Sequence, residues 1–223
     1  MSRAPTPSRA AASRGMPEAV AVIGTGGHAK VVISCLRELG VPVAAALDDA
    51  PERWGAEVLG VAVRGPVREL AAGFRHVVIA IGDNRVRQQL ASELDLDWRT
   101  VVHPRAWVDP TARLGPGAVV FAGAMVQPAA EIGAHAIVNT GASIDHDCRV
   151  GAYAHVGPGC RLCGCVRVGE GALIGVGSVV TPGVTIGAWS VVGAGAAVVR
   201  DLADGVIAVG VPARVRPPHG ASR

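Results

Sequence analysis

His146 stands between two carboxylates, in the run Ile144-Asp145-His146-Asp147-Cys148. An imidazole beside an ionised carboxylate is the pair that a proton-abstracting base requires, because the carboxylate orients the ring and stabilises the imidazolium that forms. A solvated surface histidine is the competing reading of the same residues. A second group lies earlier in the chain: Gly24-Thr25-Gly26-Gly27-His28, then Asp48-Asp49, then Gly82-Asp83-Asn84. Glycines ahead of a helix expose free amides that hold an anion, and carboxylates at a strand end accept hydrogen bonds from ribose hydroxyls or a base. For His28 the local alternative is packing at a helix start.

The elements that must position these residues fall into two halves. In the first, the apolar run 19–23 reads as a strand, broken by glycines and followed by a helix over 29–39, with Val31, Val32, Cys35, Leu36 and Leu39 at helical spacing before Gly40. Runs 41–47 and 76–81 read as further strands, the latter leading into a helix over 85–94. Strand, glycine turn, helix and strand in this order predict a parallel Rossmann-like sheet. Its ligands gather at the carboxyl ends of the strands, where Gly26, Gly27, His28, Asp48, Asp49 and Gly82 all fall. Gly24-x-Gly26-x-x-Ala29 has the outline of a dinucleotide fingerprint. A domain of roughly 80 residues is short for a fold built from two mononucleotide halves, so a nicotinamide cofactor is not expected.

The second half repeats. Every sixth residue from Val102 to Val198 is Val, Leu or Ile, 17 positions without a slip, and the residue two before each is small or modest. Glycine often follows the aliphatic position, as at Gly115, Gly133, Gly151 and Gly169. No α-helical face has a period of six, and a low-complexity segment would lose register. The pattern predicts a solenoid of short parallel strands with three hexapeptides per coil, about five coils in all, aliphatic residues pointing inward and glycines turning the corners.

Composition agrees. Half of the residues are apolar but only 3% are aromatic, which suits a narrow interior filled by Val, Ile, Leu and Ala. A net charge of +3, from 21 basic and 18 acidic residues, with Lys30 the single lysine, gives no footprint for nucleic acid. Five cysteines, an odd number, with no apolar targeting segment ahead of them, fit free thiols in the cytoplasm. Residues 1–16 are Ser/Arg/Ala/Pro-rich and are expected to be a disordered tail. No apolar run is long enough to span a membrane.

The repeat resembles the left-handed parallel β-helix of the hexapeptide acyltransferases, a handedness that runs against the usual crossover rule. With GTGGHAKVV at 24–32, LDD at 47–49, AIGDNRVR at 80–87, IDHDCRVG at 144–151 and GVPAR at 210–214, the chain resembles the sialic-acid O-acetyltransferase and PglD-type nucleotide-sugar N-acetyltransferase family over residues 17–215. The resemblance implies an α/β Rossmann-like domain over 17–97 that binds the sugar nucleotide. An all-β left-handed β-helix over 98–215 would then carry out the transfer, with a short tail at 216–223. It also implies a homotrimer with acetyl-CoA between neighbouring β-helices.

By the same resemblance His146 is the base and Asp147 the acidic partner that orients it, although the family often has Glu there. Gly26, Gly27, His28, Asp48, Asp49 and Gly82 match sugar-nucleotide positions, and His155, Gly164, Val176 and Ala194 match positions along acetyl-CoA. The expected reaction is acetyl transfer from acetyl-CoA to the amino group of a nucleotide-linked amino sugar. Transfer is expected to be direct, no cysteine or serine being foreseen beside His146 in a nucleophile arrangement. O-acetylation of sialic acid or another sugar is the rival within the class. A non-catalytic binding or scaffold protein is the rival outside it, against which His146-Asp147 together with the GTGGH loop counts.

No metal is expected. Cys160 occupies an inward position of the register, so it cannot converge with Cys163, Cys165 and His155 on an ion. The trimeric γ-type carbonic anhydrases share this β-helix and hold zinc through histidines, but here His135, His146 and His155 are 11 and 9 residues apart. Nine residues is half a coil, which puts His146 and His155 on different faces.

Overall fold

The computed structural model describes residues 18–70 and 73–216. The tail expected at 1–16, and all but Arg216 of the one expected at 216–223, lie outside them. The first half is a five-stranded sheet in the order β3-β4-β2-β1-β5. Its strands are β1 (Val20–Ile23), β2 (Val43–Leu47), β3 (Glu57–Val58), β4 (Val61–Arg64) and β5 (His76–Ile79). The first, second, fourth and fifth run parallel, and β3 closes the edge antiparallel to β4. Side chains of β1 alternate between two cores: Val20 and Val22 pack against the helix α1 (Gly27–Glu38), while Ala21 and Ile23 pack with Val77, Ile79 and Leu90. A strand that feeds two cores reads as one continuous apolar run, which is why it is visible in the sequence.

The β3–β4 hairpin was not anticipated. It is signalled by the buried/exposed alternation of Val61 to Arg64 and by a Leu59-Gly60 turn with φ of 50° and 71°, the two positive values that a tight hairpin turn demands. The short helix α2 (Val67–Leu70) also went unforeseen, and α3 spans Asn84–Glu93.

From Val101 onward the chain winds into a parallel β-helix with three faces. The first face stacks Val101–Val102, Val119–Val120, Ile137–Val138, His155–Val156, Leu173–Ile174, Val191–Val192 and Ile207–Val209. The second stacks Trp107–Val108, Met125–Val126, Ser143–Ile144, Arg161–Leu162, Val179–Val180 and Ala197–Val198; the third stacks Arg113–Leu114, Glu131–Ile132, Arg149–Val150, Arg167–Val168 and Thr185–Ile186. Each strand pairs with the one 18 residues on, as Val138 with Val156 and Ile144 with Leu162. The aliphatic register and the small residues two before it form the interior, as expected. Past Val198 the coil is two residues short, so Leu202 pairs with Ile186 and Ala208 with Val192.

The corners correct one expectation. Every sixth residue from Gly117 to Gly195 has a left-handed φ, and six of these are not glycine: Ala129, His135, Asp147, Tyr153, Cys165 and Trp189. The glycines that follow the aliphatic position do not make the turn. A Cβ at Gly151 would lie 2.6 Å from the Glu170 nitrogen of the next coil, so those glycines permit close stacking of one corner on another.

The two halves share a core. Outward residues of the first face, Val119, Phe121 and Ile137, pack with Val32, Ile33 and Leu36 of α1. The N-terminal domain therefore sits on that face. Replacing fully buried Ile144 by Ala is expected to destabilise the fold by about 2–5 kcal/mol, whereas Arg167→Ala on the exposed third face stays within about 0.5 kcal/mol. Denaturant unfolding of the two variants checks this, and equal effects would contradict the interior assigned to the register.

Candidate active site

The parallel strands change direction of crossover at β1, whose neighbours are β2 and β5. A cleft of about 310 Å³ opens there at their carboxyl ends, lined by Gly24 to His28, Asp48, Arg53 and Ala80 to Gly82. This is where doubly wound sheets bind ligands. Helix α1 begins at the cleft with Gly26 as its cap and no side chain on its first amides, leaving them for an anion. Asp48 lies on the opposite wall. Its Oδ2 accepts from the Thr25 hydroxyl and from Arg53 Nη1 at 3.1 Å, and its Oδ1 accepts from the Ala50 amide at 3.0 Å. Burial alone would raise the Asp48 carboxyl, but these donors and the Arg53 charge outweigh it and hold the group below its ordinary value. Asp49 faces another cleft and accepts from the Val67 amide at 2.7 Å, which fixes the start of α2.

Gly82 carries the cleft to the β-helix through Arg87, a side chain that sequence reasoning passed over. Arg87 is 1% exposed. It donates to the carbonyls of Ile81 (2.9 Å) and Gly82 (3.3 Å) and to Asn84 Oδ1 (2.8 Å), and across the joint to the carbonyls of His135 (2.8 Å) and Tyr153 (2.7 Å). Asn84 adds a bond to the Gly171 carbonyl at 3.0 Å. His28 lies in this joint, its ring 5.3 Å from Phe121 and 6.2 Å from His155, and its Nε2 is buried without a partner. His155 Nε2 meets Asn139 Nδ2 at 2.9 Å. Burial, then the charges of His155 and Arg87, push the His28 pKa down to about 4. Burial and Arg87 push His155 and His135 down to about 4 as well. All three imidazoles are neutral at physiological pH.

His146 occupies a different place. It is exposed, on the corner between the second and third faces, after Ser143–Ile144 and before Arg149–Val150. Its Nδ1 meets Asp147 Oδ2 at 2.7 Å, and its backbone amide donates to Asp145 Oδ1 at 2.7 Å. The hydrogen bond that Nδ1 donates to Asp147 raises the His146 pKa, helped by the charges of Asp145 and Asp147. With Nδ1 donating to the carboxylate, Nε2 is the atom left to accept a proton. Gly164 lies one coil on. A Cβ there would stand 2.6 Å from Cε1 and Nε2 of His146, so the missing side chain makes room for the ring.

Of the expected acetyl-CoA positions, His155 is on the first face, Gly164 under His146, and Val176 and Ala194 are stacked one coil apart where the first face meets the second. One chain therefore gathers His28, His155 and Gly82 into one group and His146, Asp147 and Gly164 into another, on opposite sides of the prism.

The cysteines divide similarly. Cys148 and Cys160 point inward, their thiols on the carbonyls of Cys163 (3.1 Å) and Gly175 (3.0 Å), and no cysteine is in a disulfide. Cys165 corrects the expectation that no cysteine stands beside His146. Its sulfur, a His146 ring nitrogen and an Asp147 oxygen all lie within 4.8 Å of one another. The signal was available, since Asp147 and Cys165 are separated by one 18-residue coil.

An α/β domain with a cleft at its strand ends, joined to a parallel β-helix of stacked coils, is the architecture of the left-handed β-helix acetyltransferases. Within that class the chain belongs to the PglD-type family of nucleotide-sugar N-acetyltransferases. Residues 19–94 match the PglD N-terminal domain. A histidine-to-asparagine mutant of perosamine N-acetyltransferase from Caulobacter crescentus, solved with CoA and GDP-perosamine, is 48% identical over 89% of this chain and 97% of that one, with a TM-score of 0.84. The acetyltransferase domain of PglB from Neisseria gonorrhoeae FA1090, solved with acetyl coenzyme A, is 36% identical over 90% of this chain and 100% of that one, with a TM-score of 0.83. UDP-N-acetylbacillosamine N-acetyltransferase from Bacillus subtilis (strain 168) is 43% identical over 110 residues, 46% of this chain and 51% of that protein. The chain thus matches about half the length of that curated relative.

The three neutral histidines predict an acid limit to stability. Each has a pKa of 6.5 when unfolded and about 4 when folded, so the unfolded chain binds more protons between those values. Stability is complete above pH 6.5 and falls as pH drops toward 4, by up to about 1.4 kcal/mol per pH unit for each group. The melting temperature is expected to decline already between pH 6.5 and 5, above the carboxylate range. A flat profile there would contradict neutral burial of these rings.

Proposed function

We propose that the protein transfers the acetyl group of acetyl-CoA to the amino group of a nucleotide-linked amino sugar, with His146 as the general base. The observation that carries this reading is the near full-length match to an enzyme solved with both CoA and GDP-perosamine, coupled to a cleft with free helix-start amides for a diphosphate. The nucleotide half of the substrate occupies that cleft, on the amides around Gly26 and Gly27, with Asp48 on its wall, Gly82 at its floor and His28 toward the sugar, while Asp49, turned to the neighbouring cleft, holds the start of α2. The sugar amine attacks the thioester carbonyl, His146 Nε2 takes the proton the amine sheds, and the CoA thiolate leaves. Asp147 keeps Nδ1 protonated and steadies the imidazolium. Transfer is direct. O-acetylation is the less favoured alternative, since two of the matched enzymes, those of perosamine and UDP-N-acetylbacillosamine, are N-acetyltransferases.

The active unit is a homotrimer whose subunits pack through the second face. That face exposes Trp107 (48%) and Met125 (42%) on adjacent strands, and Val179 (44%) beyond Ser143 and Arg161, large apolar side chains that an interface would cover. Packing of this kind brings the His146 corner of one subunit to the edge of the next that carries Val176 and Ala194, beside its His28 and His155. Acetyl-CoA lies in the cleft between them. A reaction between two such metabolites fits the cytoplasm, and no helix among the described residues is long and apolar enough to cross a membrane.

His146→Ala is expected to lower kcat by about 10²–10⁴-fold with sugar-nucleotide binding retained; more than a third of the activity surviving would remove His146 as the base. Gly164→Ala is expected to lower kcat by displacing the same ring, without a matching change in the KM of the sugar nucleotide. Mixing supplies the test of the shared site. When His146→Ala and His28→Ala subunits are dissociated and reassembled together, about a quarter of the interfaces pair an intact His146 with an intact N-terminal cleft. Activity, assayed at low sugar-nucleotide concentration, should return toward that fraction of wild type. No recovery in mixed trimers would place both halves of the site in one chain.

A further inference from the structure

We propose that His146, Asp147 and Cys165 form a binding site for a thiophilic divalent cation, zinc being the type, and that an ion held there stops the transfer by occupying the base. The ion has no part in the reaction itself; the inhibitory half of the proposal rests on His146 being the base.

Three donors of different chemistry meet on one corner of the β-helix. Asp147 and Cys165 hold the same corner position one coil apart, both with left-handed backbone, φ 58° and 62°. Equal backbone geometry on stacked coils sends their Cβ bonds in the same direction. The Cys165 amide donates to the His146 carbonyl at 2.9 Å, which ties the two coils together here. A ring nitrogen of His146, a carboxylate oxygen of Asp147 and the Cys165 sulfur lie within 4.8 Å of one another. Zinc binds nitrogen and oxygen at about 2.0 Å and thiolate at about 2.3 Å, so tetrahedral ligands sit roughly 3.3–3.8 Å apart. All three side chains are exposed, and a closure of about 1 Å lies within rotamer motion, with no shift of the rigid coils.

The donor set selects the ion. Magnesium and calcium take oxygen ligands, whereas imidazole with thiolate and one carboxylate suits zinc and its neighbours. Three protein ligands leave a fourth position for water or an incoming thiol, the pattern of open zinc sites. Among the other cysteines, Cys148 and Cys160 are turned inward and Cys163 is only half-exposed, so Cys165 is the thiol that reaches the corner. An ion on His146 takes the lone pair that the substrate proton needs, or breaks the Asp147 contact that orients the ring.

Cobalt(II) reports such a site directly, through the near-ultraviolet charge-transfer band of a cobalt–thiolate bond. The full-length protein is expected to bind one cobalt or zinc ion per subunit with that band, and zinc is expected to abolish acetyl transfer at matching stoichiometry, reversed by chelation. Cys165→Ser should keep its activity in metal-free buffer, lose the band, and need at least about 10-fold more zinc for inhibition, since even outer-shell partners are worth about 10–100-fold in affinity. Cys163→Ser should behave as wild type. No cobalt–thiolate band in the wild type, or a band that survives Cys165→Ser, would overturn the site. Stoichiometric binding through Cys165 with transfer undiminished would uphold the site and instead remove His146 as the base.

Discussion

Arg87 is a guanidinium buried to 1% exposure, with no carboxylate among the described residues in salt-bridge contact with it. Removing such an ion from water costs several kcal/mol unless its donors are satisfied. Its five N–H groups form a rigid fork, and the oxygens that satisfy them come from both halves of the molecule: Ile81, Gly82 and Asn84 on one side, His135 and Tyr153 on the other. Neither half can satisfy the fork alone. The loop after β5 is thereby locked to two coils of the β-helix, and Gly82, at the floor of the cleft, is fixed relative to His155. The same charge, added to burial, keeps His28, His135 and His155 neutral. The imidazole that lines the cleft, His28, is therefore uncharged. Burial also lowers Arg87 itself, to about 10, which still leaves it charged at neutral pH.

The six-residue register is the part of the fold that the sequence carries openly, because each inward slot admits only an aliphatic residue and the slots recur on all three faces. Ile144, Val156 and Ile174 each meet that demand separately, so the signal accumulates. The corner positions obey an equally strict rule in backbone angle, but φ is not written in residue type. Glycine fills most of them, while Asp147, Tyr153 and Cys165 take the same left-handed geometry. Non-glycine residues there cost about 1 kcal/mol or more, and several of them line the two groups of the site: Asp147 holds His146, and Tyr153 offers its carbonyl to Arg87. The loss of register after Val198 was equally hidden. A coil two residues short still fills its slots with Leu202 and Ala208, and no periodicity argument sees a deletion that the packing absorbs.

Within the site, residues at strand ends were legible and residues joined through space were not. Gly26, Gly27, Asp48 and Gly82 fall at the carboxyl ends of parallel strands, and the topology alone sends those ends to one cleft. The pairing of His146 with Asp147 was legible because the two are adjacent. Arg87 was not, since a single arginine on a predicted helix reads as solvated surface; only the docking of α3 against the corner that carries His135 and Tyr153 buries it. Cys165 lay in between. Its distance from Asp147 is one coil, so once the 18-residue repeat is known, the neighbours of every corner residue follow by arithmetic.

That arithmetic also separates the two halves of the chemistry. In a three-faced prism each corner is shared by two faces and is opposed to the third. The N-terminal domain occupies the first face, through Val119, Phe121 and Ile137, and His146 lies on the corner between the second and third. No rearrangement short of unwinding coils would carry His146 around the prism, because each coil is bonded to the next on every face. The hinge between domains offers no route either, since Arg87 and Asn84 pin it with bonds to the carbonyls of His135, Tyr153 and Gly171. In the proposed trimer, the cleft of one rigid chain and the histidine–carboxylate pair of its neighbour would meet on one substrate. Exposed Trp107, Met125 and Val179 all belong to the second face, which lies between those two edges, and the proposed packing through that face would set the edges against each other in neighbouring subunits.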